Sequence, residues 1–202
     1  AHTRVRRVDA AAGRVETDTG LEAADVVVVA AGAWVLDLLP GQKGRLVPSR
    51  QTVLYLAPPP RFEAAWARAP VILDGSGTRG TYILPPAAGT RLKLGDHSFT
   101  RRGQGDDDRI ATPADIEPVE AAARDSLVDF DDYRILEAKV CYYTVTADER
   151  FVVEPIGRAG WLMSACSGHG FKLAPLIAGG LADAIVGRRS AEEIPAWAAA
   201  RG

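Results

Sequence analysis

Cysteine is scarce in this sequence of 202 residues, which contains only Cys141 and Cys166. Two cysteines are too few for a disulfide framework, so we expect a reducing, cytoplasmic setting. The charged residues 1–7 are not followed by an apolar segment, and we therefore expect no secretory signal there.

Long apolar runs and an excess of positive charge are also lacking. The longest apolar candidate, 23–34, is shorter than the ~18 residues that a membrane-spanning segment needs. The net charge of -2 does not indicate a surface that binds a polyanion. We therefore expect neither a membrane nor a nucleic acid as a partner, and no metal site.

Lysine and histidine are few as well: only four of the 24 lysines and arginines are lysine, and there are three histidines. In a chain that prefers arginine so strongly, these few residues are better candidates for a site than usual. Two lysines and two histidines lie in the segments discussed below, namely Lys93, His97, His169 and Lys172.

The order of the predicted elements indicates the fold class. A continuous run of β-branched residues within 25–32 is typical of a parallel strand that is buried on both faces in an α/β sheet. From 47 to 145, short strands alternate with Pro- and Gly-rich loops, which predicts an antiparallel sheet interrupted by one helix. Two further strands, at 151–154 and 161–164, are followed by an amphipathic helix at 171–187, so the end of the sequence again has an α/β pattern.

The sequence therefore predicts an α/β fold with α+β character in the middle. Because α/β pieces lie at both ends, we expect residues 1–46 and 146–202 to form one domain. Residues 47–145 are expected to form a second domain, built mostly of antiparallel sheet.

The segment 75–80 matches the dinucleotide-binding pattern G-x-G-x-x-G. That pattern must open a helix, because the amides at the helix start face the pyrophosphate. Residues 81–84 instead have the pattern of a strand, and Pro85 and Pro86 end it. We therefore interpret the match as a flexible loop.

A second glycine-containing segment is more specific. Residues 167–172, Ser-Gly-His-Gly-Phe-Lys, lie between an apolar strand and an amphipathic helix. The amides and the positive end of the helix suit an anion there, and Lys172 adds charge where a helix start usually prefers an acid. The alternative is an ordinary strand-to-helix turn with an exposed lysine.

Two strands carry further candidates. Cys141 lies in an apolar strand, where a lone cysteine is usually a small core residue. Alternation places Lys93, Gly95 and His97 on one face of another strand and the residues between them on the other. Taken alone, that face is also compatible with a solvated surface.

Together and in this order, these segments resemble the sarcosine oxidase-like family of FAD-dependent amine oxidoreductases. The family patterns are similar to Cys-x-Tyr-Thr-x-Thr-x-Asp-x-x-Phe, here 141–151, and to Ser-Gly-His-Gly-Phe-Lys, here 167–172. Segments 92–99 and 31–34 also match, so the resemblance covers most of the chain. It implies that the split α/β domain is part of a Rossmann-like FAD-binding domain, and that the antiparallel domain binds substrate.

The resemblance implies that FAD is attached covalently through Cys141. Two further segments would contact the cofactor. The residues that it implies are Gly32, Ala33 and Trp34, which would pass near FAD, and Gly168, His169, Gly170 and Phe171, which would face the flavin pyrimidine.

It also implies four catalytic residues and a reaction. Lys93 would promote the reaction of reduced flavin with oxygen, because a fixed cation stabilises developing negative charge. His97 would tune substrate binding and the protonation of the amine, Tyr143 would line the pocket, and Lys172 would pair with the substrate carboxylate. The reaction would be oxidation of the C–N bond of a small secondary amine or amino acid to an imine, with oxygen reduced to hydrogen peroxide.

This sequence departs from the family pattern in two places. Asp96 precedes His97, where several members resemble Gly-Tyr-His. The N-terminal FAD fingerprint of the family is not present, and the first residue is Ala1. We therefore expect a fragment, or one piece of a split enzyme, that needs an N-terminal half and is inactive alone. The alternative is a non-catalytic remnant, or a subunit of a heteromeric amino-acid dehydrogenase or oxidase.

Overall fold

A computed structural model describes residues 2–200, and the chain divides into two compact units. The first unit comprises Ala1–Ser49, Arg101–Asp106 and Tyr142–Gly202, and the second comprises Arg50–Thr100 and Asp107–Cys141. The cofactor and substrate roles that the resemblance implies for the two domains stay predictions.

The regular elements follow one another in mixed order, which confirms the predicted α/β fold with an antiparallel middle. The strands are β1 (Val5–Asp9), β2 (Arg14–Thr17), β3 (Leu21–Ala23), β4 (Val27–Val29), β5 (Val47–Ala57), β6 (Ile72–Asp74), β7 (Thr81–Leu84), β8 (Leu92–Asp96), β9 (Arg134–Val145), β10 (Val152–Gly157) and β11 (Gly160–Ser164). The helices are α1 (Val35–Leu38), α2 (Pro60–Trp66), α3 (Pro113–Ser126), α4 (Gly170–Ile185) and α5 (Ile194–Ala198). Short 3-10 turns cover Gly32–Trp34, Pro40–Gln42 and Phe130–Asp132.

The first unit begins with an antiparallel sheet of order β1-β2-β3. The short alternating runs 3–10 and 13–17 around Gly13 predict a hairpin, and β1 and β2 form it. Gly13 has φ +64°, and a Cβ there would lie 2.2 Å from the carbonyl oxygen of Ala24, so only glycine fits the turn. Strand β3 was not predicted, because its three exposed residues carry no alternating pattern.

A second sheet of order β10-β11-β4 contains the predicted parallel strand, since β4 pairs with β11 in parallel. Val29 and Leu162 belong to a core cluster on one side, and Trp161 belongs, with residues of α4 and α5, to another cluster. The expectation that the valine run is buried on both faces was wrong for Val28, which is 42% exposed. Val28 is a member of neither cluster, so apolar packing covers the strand only in part.

The five-stranded sheet has the order β6-β7-β8-β5-β9 and is antiparallel where β6, β7, β8 and β5 pair. Its core cluster contains residues of α3, among them Val119 and Ala123, packed with Leu54, Leu92 and Leu94 of the strands. This arrangement is the antiparallel sheet with a helix that the middle of the sequence predicted.

Thr112 and Pro113 predict the start of the helix in the middle of the sequence, and α3 begins there. The Asp115 amide donates to Thr112 Oγ1, and the Asp115 carboxylate accepts from the Thr112 amide, which forms a capping box. Arg50 donates to both Asp115 oxygens at 3.1 Å, and this hydrogen bonding is the main reason that the pKa of Asp115 falls to about 2.

Two short helices were not predicted, α2 and α5, because each is shorter than two turns and has no capping side chain. In the predicted helix over 171–187, the spacing predicts one buried apolar stripe, formed by Leu173, Leu176, Ile177, Leu181 and Ile185. Ile177 and Leu181 are buried as expected, but Leu176 is 62% exposed, so its assignment to the buried stripe was wrong. Within residues 2–200, no helix has the length and apolar content to cross a membrane.

Candidate functional site

The turn between β11 and α4, in the first unit, has an unusual backbone. Ala165, Ser167 and Gly168 have φ values of 56°, 44° and 79°, a region that L-residues rarely adopt. The Ser167 amide donates to the carbonyl oxygen of Thr144 at 3.1 Å, which holds the turn against the end of β9. Two of the three positive-φ residues are not glycine, and backbone strain of this kind is concentrated at ligand sites.

Each of the two glycines of this turn lies against a neighbouring side chain. A Cβ on Gly168 would lie 2.9 Å from the Tyr143 ring, and a Cβ on Gly170 would lie 2.9 Å from the Cβ of Cys166. Such distances leave no room for a side chain at either position. The structure therefore brings together Tyr143 and Gly168, two of the predicted site residues.

A cavity of about 180 Å³ lies in the first unit at the carboxyl ends of the parallel strands β4 and β11. This is the position where open α/β sheets bind their ligands. Its lining residues come from the ends of β4, β9 and β11, from residue 151 and from the first turns of α4: Ala30, Gly32, Thr144, Phe151, Met163, Ser164, Ala165, Cys166, Gly170 and Ala174. Gly32 and Gly170 are the predicted cofactor residues among them.

Two buried hydroxyl groups belong to residues that line this cavity. Thr144 Oγ1 and Ser164 Oγ have no hydrogen-bond partner within residues 2–200. A buried polar group without a partner costs about 1 to 3 kcal/mol, so such groups are rare unless a bound molecule satisfies them. Thr144 is part of the family pattern at 141–151 but was not predicted as a site residue. Ser164 was not singled out, although a serine at the end of the apolar strand β11 is a local signal.

Three predicted site residues at the start of α4 are exposed and do not line this cavity. His169 occupies the N-cap position, and Phe171 and Lys172 follow in the first turn as exposed side chains. The positive end of the helix and the Lys172 ammonium lie in the same turn, which attracts an anion. The roles expected for these three residues stay predictions.

The structure separates the three residues of the 3-10 turn after β4. Gly32 lines the 180 Å³ cavity, and Ala33 is buried in the unit. The indole N–H of Trp34 donates to Asp106 Oδ1 at 2.7 Å, in a different groove. Of the three, only Gly32 lies at the cavity with the unpartnered hydroxyls.

In the second unit, strand β8 has the two faces that its alternation predicted. Leu92 and Leu94 are fully buried in the core cluster, and Asp96 is buried on the same side. Lys93 is half-buried and His97 is exposed on the opposite side. The assignment of Lys93 and His97 to one face is therefore confirmed.

The Tyr82 ring lies close to both of these side chains, a contact that was not predicted from the sequence. Its ring centroid lies 5.6 Å from that of His97, and the Lys93 Nζ lies 5.9 Å from the same ring. Tyr82 pairs with Gly95 across β7 and β8, and a Cβ on Gly95 would lie 2.5 Å from the tyrosine hydroxyl. Because Gly95 has no side chain, there is space for the tyrosine ring. A glycine paired with an aromatic residue on the next strand was therefore the sequence signal for this contact.

Cys141 lies near the end of β9 on the same face of this sheet. Tyr55 pairs with Lys93 across β5 and β8, so both side chains are on one face. The Lys139 Nζ lies 5.6 Å from the Tyr55 ring, and alternation along β9 places Cys141 on the same side as Lys139. The structure thus brings Lys93, His97 and Cys141 to one sheet face.

A larger groove of about 650 Å³ in the first unit has no comparable features. Two of its arginines pair with neighbours: Arg45 donates to Glu154 at 2.8 Å, and Arg150 donates to the carbonyl oxygen of Ala200 at 3.0 Å. The part of the chain that the structure describes contains no cluster of three side chains suited to a metal ion.

Comparison with known proteins places the chain in a family. The sequence profile described as FAD dependent oxidoreductase matches residues 1–184. N-methyl-L-tryptophan oxidase of Salmonella typhi is 28% identical over 184 residues, which are 86% of this chain and 47% of that protein. The chain thus spans about half the length of the curated relatives that it matches.

Solved structures share the fold. L-proline dehydrogenase from P. horikoshii aligns over 99% of this chain and 53% of its own, with a TM-score of 0.75 and 19% identity. A modified fructosyl peptide oxidase from Aspergillus nidulans aligns over 90% of this chain and 47% of its own, with a TM-score of 0.69 and 26% identity. The architecture of this chain is therefore that of about half of each of these oxidase and dehydrogenase chains.

Proposed function

We propose, because this chain belongs to the family of FAD-dependent oxidoreductases, that the native protein containing it oxidises the C–N bond of a secondary amine or amino acid to an imine. Oxygen would accept the electrons and give hydrogen peroxide. The observation that carries this proposal is the sheet face with Lys93, His97 and Cys141. A relative named N-methyl-L-tryptophan oxidase supports an N-alkyl amino acid as the substrate class.

The first unit offers groups that suit a polar edge of FAD. The cavity lined by Gly32 and Gly170 contains two buried residues, Thr144 and Ser164, whose hydroxyls lack protein partners within the described chain. A cofactor with polar ring edges and hydroxyls is the kind of ligand that satisfies such groups. The predicted contacts of Ala33, Trp34, Gly168, His169 and Phe171 are part of the same proposal.

Bound FAD supplies the two-electron acceptor that the polypeptide lacks. The chain's own contribution is to hold the cofactor and to place charges. We propose that the Cys141 thiol forms the covalent link and that the Lys93 ammonium stabilises the negative charge that develops on oxygen during its reduction. His97 would then orient the amine and tune its protonation.

Two residues of the first unit complete the proposal. Tyr143, packed beside Gly168, would line the substrate pocket. Lys172, exposed at the positive end of α4, would pair with a substrate carboxylate. Because the chain corresponds to about half of its relatives, we propose that turnover also needs the other half of the FAD-binding domain.

The covalent link is tested by acid denaturation of the native protein. We expect yellow flavin to remain with the polypeptide, and to be released when Cys141→Ser is denatured. Cys166→Ser is the matched control, because it removes the only other thiol of this chain and should keep the flavin attached. Flavin that washes out of the unmodified protein, or that survives Cys141→Ser, contradicts the link.

The role of Lys93 is tested by separating the two half-reactions. Lys93→Met keeps the length of the side chain and removes its charge. We expect reoxidation by oxygen to slow by about a hundredfold or more, as for loss of one strong electrostatic contact, while reduction by substrate changes little. Stopped-flow absorbance measures both rates, and equal slowing of the two would remove this role.

The substrate class is tested by a screen of N-methyl and cyclic amino acids with peroxide detection. Peroxide release with one of these compounds supports an oxidase. Reduction of an artificial electron acceptor without peroxide would instead favour a dehydrogenase subunit. No turnover with any amine, in protein that carries flavin, would contradict the proposed reaction.

A further inference from the structure

Asp96, the last residue of β8, is a buried carboxylate. Its side chain is 5% exposed and lies on the core side of the sheet, after Leu92 and Leu94. A buried charge is retained only when a partner of opposite charge or several hydrogen bonds compensate for the lost water. The partner here determines what the carboxylate does.

That partner is Arg79, whose Nε lies 2.7 Å from Asp96 Oδ2. Arg79 belongs to segment 75–80, the glycine-rich turn between β6 and β7 that resembles a dinucleotide-binding motif and is not one. The ion pair therefore attaches this turn to the end of β8. The arginine is 35% exposed, so the pair lies at the edge of the core.

The same turn also contacts His97, through its backbone and its imidazole. The His97 amide donates to the carbonyl oxygen of Gly80 at 3.3 Å. Gly80 has φ +63°, and a Cβ there would lie 3.2 Å from His97 Cδ2. The imidazole thus packs against the turn on one side and against the Tyr82 ring on the other.

We propose that Arg79 and Asp96 are positioning residues, which hold the turn 75–80 against His97 and so fix the direction of its imidazole. This inference rests on the proposed function for the role of His97 toward substrate. The Arg79–Asp96 ion pair and the turn 75–80 that it holds, together called the clamp, lie within the second unit. The clamp is therefore testable without catalysis. Asp96 would act from the core side of the sheet, while His97 faces the other side.

Arg79→Met in the native protein tests whether the clamp exists and whether it positions His97. Methionine keeps much of the length of the arginine side chain and removes the charge. We expect the His97 amide and the amides of 75–80 to exchange hydrogen about tenfold faster, since a charge-assisted hydrogen bond is lost. The KM for the amine should rise about tenfold as the imidazole loses its fixed direction, with kcat changed about twofold or less.

Two variants serve as comparisons. Arg79→Lys keeps the charge and should restore most of the KM and of the exchange protection. Arg61→Met removes an ion pair with Asp129 and Asp132 that is about half exposed in the same unit, and should leave both measurements unchanged. If Arg79→Met does not fold, Asp96→Asn provides the same comparison with a nearly isosteric side chain.

The outcomes separate the clamp from the proposed function. Unchanged exchange at His97 in Arg79→Met overturns the clamp, whatever the activity. Faster exchange with an unchanged KM, at normal flavin content, overturns the positioning role and leaves a structural ion pair. If the unmodified protein oxidises no amine, the proposed function fails, and hydrogen exchange still decides whether the clamp exists.

Discussion

The two units differ in how some of their solvent-shielded polar side chains are paired. In the second unit, Asp96 pairs with Arg79 and Asp115 pairs with Arg50. In the first unit, the hydroxyl of Thr144 is buried beside a turn with three positive φ values and has no partner within residues 2–200. Paired groups specify a fold, whereas unpaired groups next to strained backbone indicate a place that a ligand completes. The predictions below test this difference.

The largest effect is expected at the strained turn of the first unit. Gly168→Ala adds a Cβ at φ +79° and at 2.9 Å from the Tyr143 ring. We expect the free energy of unfolding of the native protein to fall by about 2 to 4 kcal/mol, from the strain and the overpacking together. Urea unfolding measures the change.

The matched control is the same substitution in the helix that follows the turn. Gly179 lies in α4, and a Cβ there would meet no atom within 4 Å. Gly179→Ala should stabilise the protein by up to about 1 kcal/mol, because alanine is the better helix former. If both alanines have the same effect, the turn is not strained in the way that its φ values indicate.

A smaller effect is expected at a paired group of the second unit. The pKa of Asp115 is lowered to about 2, mainly by hydrogen bonding from Arg50. Asp115→Asn should therefore lower the free energy of unfolding by about 1 to 2 kcal/mol at pH 7. The carboxylate stabilises only while ionised, so the difference from the unmodified protein is complete above the unfolded pKa of 3.8 and disappears as the pH falls towards about 2.

Unfolding midpoints measured from pH 7 to pH 2 check this pH dependence. Asp131→Asn provides the control, because Asp131 pairs with Arg124 with its side chain 79% exposed, and such surface pairs contribute about 0 to 1 kcal/mol. An Asp115→Asn deficit that persists undiminished at pH 2 would show that the ionised carboxylate is not its cause.

For the candidate site residues on strand β8, the shared face could be predicted from the sequence, because side chains alternate along a strand. Lys93 and His97 share a face for this reason, and Leu92 and Leu94 face the core. The start of α3 could be predicted for a similar reason, since the signals for a helix start are local in sequence.

For the turn between β11 and α4, the sequence predicted the positions of the glycines but not the backbone conformation of the other residues. The positive φ values of Ala165 and Ser167 have no sequence signal, because most residues of these types adopt negative φ and packing decides the exception. Tyr82 and Ser164 were missed since their importance depends on what lies opposite them in space. The valine run predicted a strand correctly but could not show that Val28 stays exposed.

The smallest effect separates the two kinds of buried polar group most directly. Thr144→Val replaces an unpartnered hydroxyl by a methyl group of the same shape, so the flavin-free protein should gain about 1 kcal/mol of stability. Thr146→Val is the control two residues later, because Thr146 Oγ1 accepts from the Arg150 amide and donates to the Arg150 carbonyl oxygen, both at 3.1 Å. That variant should lose about 1 kcal/mol, since it leaves the amide and the carbonyl oxygen of Arg150 without this side-chain partner.

Flavin-loaded protein should reverse the sign at Thr144 but not at Thr146. If the Thr144 hydroxyl donates to or accepts from the cofactor, Thr144→Val loses that bond, and its gain over the unmodified protein disappears or becomes a loss. Thermal unfolding of both variants, with and without flavin, gives the four differences required. A Thr144→Val gain that is equal in the two states would mean that the hydroxyl does not contact flavin, and the cavity at the ends of β4 and β11 would then need another ligand to explain it.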